Sequence, residues 1–468
     1  MKFFTKANSI FLLLKQSLRG DEQNFTEGSI NRAIFLLSVP MILEMSMEAL
    51  FAVVDVFFVS QMGDNDAVAT IGLTESVLTL IYSLAIGLSM GATAMVARRV
   101  GEKDEKAASV AAVQSLYLGI GLSIVISLIG IFFPRDILRL MGASQNIIEN
   151  CSGYTQWMLV GNITIMLLFL INAIFRGAGD ASLAMRSLMI ANGLNMVLDP
   201  VFIFGFGPVP PFGIEGAAIA TNIGRGIGVL YQLYHLFRGK GLIKIHAENF
   251  LVSWSIIANL IKVSAGGTAQ FLIGSASWVF LVRIMSDFGS TALAGYTIAI
   301  RVIIFAILPA WGMANAAATL VGQNLGAGHP ERAEKSVWKA AFYNMIFLGL
   351  VTIVFFSMAS PILHFFTKDE QVLRHGILCL QVVSLGYIFY ACGMVVNQSF
   401  NGAGDTRTPT LISFFGFWIF QIPLAYILAK YLHAGPVGVY AAIAVAESLM
   451  AIAGIIIFRK GKWKTVKI

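Results

Sequence analysis

The sequence predicts an all-α polytopic membrane protein, with twelve transmembrane helices in two six-helix lobes related by pseudo-two-fold symmetry. Three observations predict it: an apolar composition, twelve apolar stretches of spanning length and an internal repeat. Of 468 residues, 57% are hydrophobic and 12% charged, where a soluble domain carries about 25% charged residues. Mean hydropathy is +0.78. So much apolar surface belongs in a bilayer. A soluble enzyme, a disordered chain and a disulfide scaffold are excluded. Cys151, Cys379 and Cys392 form no CxxC pair and read as free thiols.

The elements follow in chain order. Residues 1–32 include MKFFTKANSIFLLLKQSLRG, an apolar run broken by Lys15 and Arg19. It is too short to span and poor as a cleavable signal, so it reads as a cytoplasmic amphipathic helix on the membrane surface. About 20 mostly apolar residues cross the hydrocarbon core. Such stretches lie at 33–60, 68–97, 107–133, 151–175, 183–206 and 213–237, an N-lobe over 33–238. A linker at 239–253 precedes six more, at 254–285, 291–322, 336–360, 374–400, 408–430 and 436–458, a C-lobe over 254–458. A basic tail occupies 459–468.

Basic residues set the orientation. With the N-terminus inside, the inner segments carry 22 Lys and Arg, from Lys2 and Arg19 through Arg98, Arg176 and Arg332 to Lys467. The outer loops carry 5: Arg135, Arg139, Lys368, Arg374 and Lys430. This asymmetry predicts cytoplasmic termini in a plasma or inner membrane. It also accounts for the net charge of +7 without a nucleic-acid partner.

The chain repeats itself at an offset of 225. Phe175-Arg-Gly-Ala-Gly-Asp180 recurs as Phe400-Asn-Gly-Ala-Gly-Asp405, Asn172 as Asn397, and Val96 and Gly101 as Val321 and Gly326. Six spans per half is an even number, so both halves enter the membrane the same way, as in secondary transporters with parallel repeats. Features shared by both halves read as architectural; features confined to one half are better functional candidates. Asp55, Asn195 and Asp199 map onto Phe280, Phe420 and Leu424, and Glu44 and Glu48 onto Ala269 and Ile273.

An acid at the bilayer centre costs about 2.5–3.5 kcal/mol, so it should face a cavity or a partner. In the first span Glu44, Glu48 and Asp55 fall within about 40° on one helix face. In the fifth, Asn192, Asn195 and Asp199 fall within about 60°. Carboxylate and amide oxygens suit a hard cation such as Na+, and a desolvated carboxylate also takes up H+. Glu44, Glu48 and Glu75 are candidates to line a cavity, and Pro40 and Pro200 to bend their helices. The plainer reading of Asn172 and Asn192 is hydrogen-bonded glue between helices. Arg225, Arg301 and Glu447 lie mid-span and need partners that the sequence does not identify.

Gly87-Leu-Ser-Met-Gly91 matches the hydrolase pattern GxSxG but lies inside a span, where close helix packing explains it. No GxxxxGK or HExxH occurs, so nothing marks a nucleotide or catalytic metal site.

The stretch PMILEMSMEALFAVVDVFFVSQMG from Pro40, Gly91-Ala-Thr-Ala, Arg99-Val-Gly101, Leu320-Val-Gly-Gln-Asn-Leu-Gly-Ala-Gly328 and the paired GAGD turns resemble the multidrug and toxic compound extrusion (MATE) transporters over essentially the whole chain. Asn195-Met-Val-Leu-Asp199-Pro200 resembles the DinF-like and archaeal subgroup. That resemblance implies an N-lobe cation site at Asp55, Asn195 and Asp199, supported by Asn172 and Thr221. Spans seven and ten hold no Asp or Glu, which departs from the NorM-type subgroup with its C-lobe acids.

The expected function is secondary active multidrug efflux: antiport of organic, cationic or amphipathic compounds against H+ or Na+, by a monomer without a cofactor. The rival is a flippase of lipid-linked precursors or polysaccharide from the same superfamily. The orientation is directly testable. Single cysteines placed in the 101–106 loop or after Lys462 are expected to resist an impermeant thiol reagent in intact cells; labelling without permeabilisation would overturn it.

Overall fold

The computed structural model describes residues 2–20, 24–239 and 241–468; the side chains of residues 2–10, 52, 53, 55, 56, 60 and 65 lie outside the described residues. Among the described residues the named elements are helical, and one isolated bridge pairs Phe206 with Val209. The first half holds α1 (Lys2–Arg19), α2 (Ile30–Ser60), α3 (Asn65–Gly101), α4 (Glu105–Phe132), α5 (Pro134–Leu140), α6 (Gln145–Asn150), α7 (Ser152–Val160), α8 (Asn162–Ala178), α9 (Ala181–Phe204) and α10 (Ile214–Arg238). The second holds α11 (Trp254–Ser286), α12 (Ser290–Gly326), α13 (Pro330–His364), α14 (Glu370–Ser384), α15 (Tyr387–Ala403), α16 (Arg407–Ser413), α17 (Ile422–Tyr426) and α18 (Pro436–Arg459). Wider π turns at Phe414–Gln421 and Ile427–Tyr431 join α16 and α17 into one span, Arg407–Tyr431.

Ten helices among the described residues are long and apolar enough to cross a membrane, and α14 with α15 makes an eleventh bent by 58°. The sixth expected span is α10, whose glycines, Glu215 and Arg225 lower its apolarity. The expected fourth and tenth spans are each broken in two, at Gly161 and Gly386, which are 225 apart. A Cβ at Gly161 would stand 2.0 Å from Asn222 Oδ1, and one at Gly386 2.9 Å from the Ala444 carbonyl oxygen.

The loops stop and start helices by the same devices in both halves. Gly179 and Gly404 take left-handed φ values of 94° and 88°, closing α8 and α15. Asp180 N–H then donates to the Phe175 carbonyl and Asp405 N–H to the Phe400 carbonyl, both at 2.9 Å. Each Asp accepts a backbone N–H of the next helix, Leu183 at 3.3 Å and Thr408 at 3.1 Å. Burial holds the Asp180 carboxyl above the usual Asp range, against the opposing pull of its Ser182 and Leu183 hydrogen bonds. After α11, a hydrogen bond from Lys430 Nζ at 2.6 Å holds Asp287 below that range.

Packing groups the chain into two units. The first comprises Met1–Gln23 with Leu43–Thr268, the second Asn24–Ile42 with Ala269–Ile468. The helices that open the two repeats, α2 and α11, are thus each divided, α2 two residues beyond Pro40. Pro40 sits inside an unbroken α2 and Pro200 inside an unbroken α9.

Glycine permits the closest helix approaches. In the second unit, a Cβ at Gly312 would lie 2.6 Å from the Met41 carbonyl oxygen. Gly312→Ala is therefore expected to lower the melting temperature in detergent and the membrane yield. Gly349→Ala, with nothing within 4 Å, is expected to change neither. Equal melting of the two variants would refute this packing.

Candidate cation-coupling site

The polar face of α9 meets α10 inside the first unit. Asn195 and Asp199 are one turn apart, so the amide reaches along the helix: Asn195 Nδ2 donates to Asp199 Oδ1 at 3.0 Å and to Thr221 Oγ1 at 3.3 Å. Gly224 lets α10 come close enough for this, since a Cβ there would stand 2.7 Å from the Ala191 carbonyl oxygen. Asn195 and Asp199 are 0% exposed and Thr221 1%. Asn195 Oδ1 has no hydrogen-bond partner among the described residues. Pro200 lacks the N–H that would close the helical turn onto Met196. A carboxylate, an amide oxygen and a hydroxyl thus share a buried spot, a donor set suited to a hard cation or a proton. The side chain of Asp55, expected as the second acid here, lies outside the described residues.

The other expected residues fall in different places. Asn172 Oδ1 accepts from Gln232 Nε2 at 2.5 Å and from Ser187 Oγ at 3.0 Å, a network of α8, α9 and α10 apart from Asn195 and Asp199. Glu44, expected to line a cavity, is instead 1% exposed and paired with Arg176 Nη1 at 2.5 Å. A buried carboxylate needs such a partner. Glu48 is half-buried and within electrostatic reach of Arg225 and Arg176. Glu75 is exposed. Asn192 Nδ2 donates to the Met47 carbonyl at 2.7 Å, tying α9 to α2.

Arg225 finds its partners on two neighbouring helices. Its guanidinium lies 4.4 Å from the Phe51 ring centroid, and Nη2 donates to Tyr82 Oη at 3.0 Å. Stacking of this kind suits a planar cation in an apolar setting. Arg301 is exposed, and Glu447 acts electrostatically on Tyr390. Sequence reasoning missed Arg176, Gln232, Ser187 and Tyr82 as partners. For Arg176 a signal existed: it is the letter at which the two FxGAGD motifs differ. Among the described residues no three His, Cys, Asp or Glu side chains come together as a metal group.

The family model for MatE matches twice, over residues 40–201 and 268–427, one match in each half. The chain belongs to the MatE family. Its relatives include the probable multidrug resistance protein NorM of Thermotoga maritima, 26% identical over 93% of this chain and 93% of that one. The multidrug export protein MepA of Staphylococcus aureus is 22% identical, over 93% and 96%. A solved outward-facing multidrug resistance MATE transporter superposes with a TM-score of 0.88 at 28% identity, over 95% of this chain and 100% of that one. A MatE protein is a multi-pass membrane transporter, not an enzyme, and this chain carries the family's twelve-helix, two-lobe architecture.

The Arg225 arrangement makes a stability prediction. Arg225→Lys keeps the charge but loses the planar contact with Phe51 and Tyr82, and is expected to cost about 1–3 kcal/mol. Thermal melting in detergent should fall well below that of Arg301→Lys, an exposed control. Equal melting would mean the Phe51 and Tyr82 contacts contribute nothing.

Proposed function

We propose that this transporter exports organic cationic or amphipathic compounds in exchange for H+ or Na+, by alternating access of its two halves. The observation that carries the coupling is the buried Asn195–Asp199–Thr221 group, whose repeat counterparts at 195 and 199 are the apolar Phe420 and Leu424. Nothing in helix packing requires a carboxylate there, and it appears in one half alone. The multidrug names of NorM and MepA support the substrate class. Asp55 joins the site on the resemblance of its motif. The proposal includes monomeric action in the plasma membrane with both termini cytoplasmic. One charge crossing 100 mV yields about 2.3 kcal/mol, roughly a 40-fold gradient. A flippase for anionic lipid-linked precursors calls for free cations in the substrate path. Here Arg176 and Arg225 are engaged by Glu44 and by Phe51 with Tyr82.

Asp199→Asn tests this. Asn is nearly isosteric, so membrane insertion should persist, but it cannot exchange a proton and is a weaker Na+ ligand. Gradient-driven efflux in proteoliposomes, with pH and Na+ gradients imposed separately and expression matched, is expected to be abolished. Efflux at the parent rate under either gradient would remove the site from coupling.

A further inference from the structure

Helix α1 sits outside the twelve apolar stretches, so the acyl chains that surround the spans do not account for what it exposes. Its last turn is fixed to the start of α9 within the first unit. Arg186 of α9 donates to the carbonyl oxygens of Leu18, at 2.8 Å, and of Arg19, and to Ser182 Oγ at 3.3 Å. Carbonyls that end a helix have no partner within it, so this guanidinium supplies one. Gly20 follows in the left-handed region, at φ 71°, and a Cβ there would stand 2.7 Å from Oδ1 of Asp180, the cap of α9. Ser17, in the same turn of α1, is 3% exposed.

Another face of α1 is open. Phe11 and Leu12 are 63% and 64% exposed, and Leu14, Lys15 and Arg19 are exposed as well. On a helical wheel these five fall within about 160° of one another, with Ser17 outside that arc. The basic groups therefore stand among the apolar ones rather than opposite them. Water alone is a poor cover for Phe11 and Leu12. A wholly apolar cover would strand Lys15 and Arg19. A bilayer surface suits both kinds, because apolar side chains enter the acyl boundary while Lys and Arg stems carry their charges to the headgroups. The sign of those headgroups follows from the charge of the helix. Its sequence holds Lys2, Lys6, Lys15 and Arg19 and no Asp or Glu; Asp21 and Glu22 come only after it.

We infer that α1 is an arm that binds anionic phospholipid. The face carrying Phe11, Leu12, Leu14, Lys15 and Arg19 lies on a bilayer surface with negative headgroups, and Arg186 is the positioning residue that seats the arm on α9. On the positive-inside reading that surface is the cytoplasmic leaflet. Helix α9 also carries Asn195 and Asp199, so one helix joins the lipid surface to the candidate cation site. The arm needs no gradient and no substrate, so it stands or falls apart from the antiport reading.

The whole chain, reconstituted in liposomes, tests this. The background replaces Cys151, Cys379 and Cys392 by Ala and carries Leu14→Cys, labelled with an environment-sensitive fluorophore. Quenching by lipids brominated in their acyl chains is read in phosphatidylcholine alone and with phosphatidylglycerol added. It is expected to rise about threefold or more with the anionic lipid, and to fall back as salt screens the charges. Lys15→Gln/Arg19→Gln changes only exposed positions and is expected to abolish that rise, while Lys15→Arg/Arg19→Lys keeps it. Arg186→Gln is expected to leave the quenching and lower the anisotropy of the label, because the arm stays on the lipid but loses its seat on α9. Unchanged anisotropy would remove Arg186 from the seat. Equal quenching in both lipids would overturn the anionic preference, and no quenching in either would overturn the membrane contact. A label that becomes shielded from lipid as protein density rises would mean that a second copy covers this face, and would overturn the inference as well.

Discussion

The structure depends on one constraint: inside a bilayer, a polar group must find its partner within the chain. Glu44 meets it with Arg176, Asn172 with Gln232 and Ser187, and Arg225 with Tyr82 and the Phe51 face. Each of these contacts joins different helices, so satisfying the constraint also fixes which helices are neighbours. The Asn195–Asp199–Thr221 group meets the same constraint between α9 and α10. It is as deeply buried as the others, and Asn195 Oδ1, like Glu44 Oε2 and Gln232 Oε1, has no hydrogen-bond partner among the described residues.

Much of this was legible in the sequence. Twelve apolar stretches and the 225-residue repeat carry the architecture because spanning length and parallel topology follow from counting alone. The GAGD turns were legible because a left-handed residue followed by a capping Asp leaves few alternatives to Gly-Asp. Asn195 and Asp199 were legible because one helical turn separates them. What escaped the sequence depends on pairing between distant segments. Hydrophobicity alone does not distinguish a Glu44 that faces water from one that faces Arg176, 132 residues away. The breaks at Gly161 and Gly386 escaped because glycine inside an apolar run is tolerated in membrane helices and serves close packing as often as bending. Their matched spacing was the available signal.

The repeat also explains why chemistry gathers in one half. The paired glycines, turns and broken spans show that the two halves share local architecture. The buried carboxylate of α9 does not follow that shared pattern. Across the repeat, Asp199 is matched by Leu424 and Asn195 by Phe420, and Phe420 is exposed where Asn195 is buried.

The FxGAGD position differs in the same way: both halves keep a polar contact to the opening helix there, yet one half uses opposite charges and the other uses amides. A buried ion pair is not a stronger tether than a neutral pair once desolvation is counted. Its distinction is that it responds to charge: Glu48 lies within reach of the same Arg176 and of Arg225. The acidic face of α2 is thus linked electrostatically to Arg176 and Arg225, while the matching contact on α11 is a neutral amide pair.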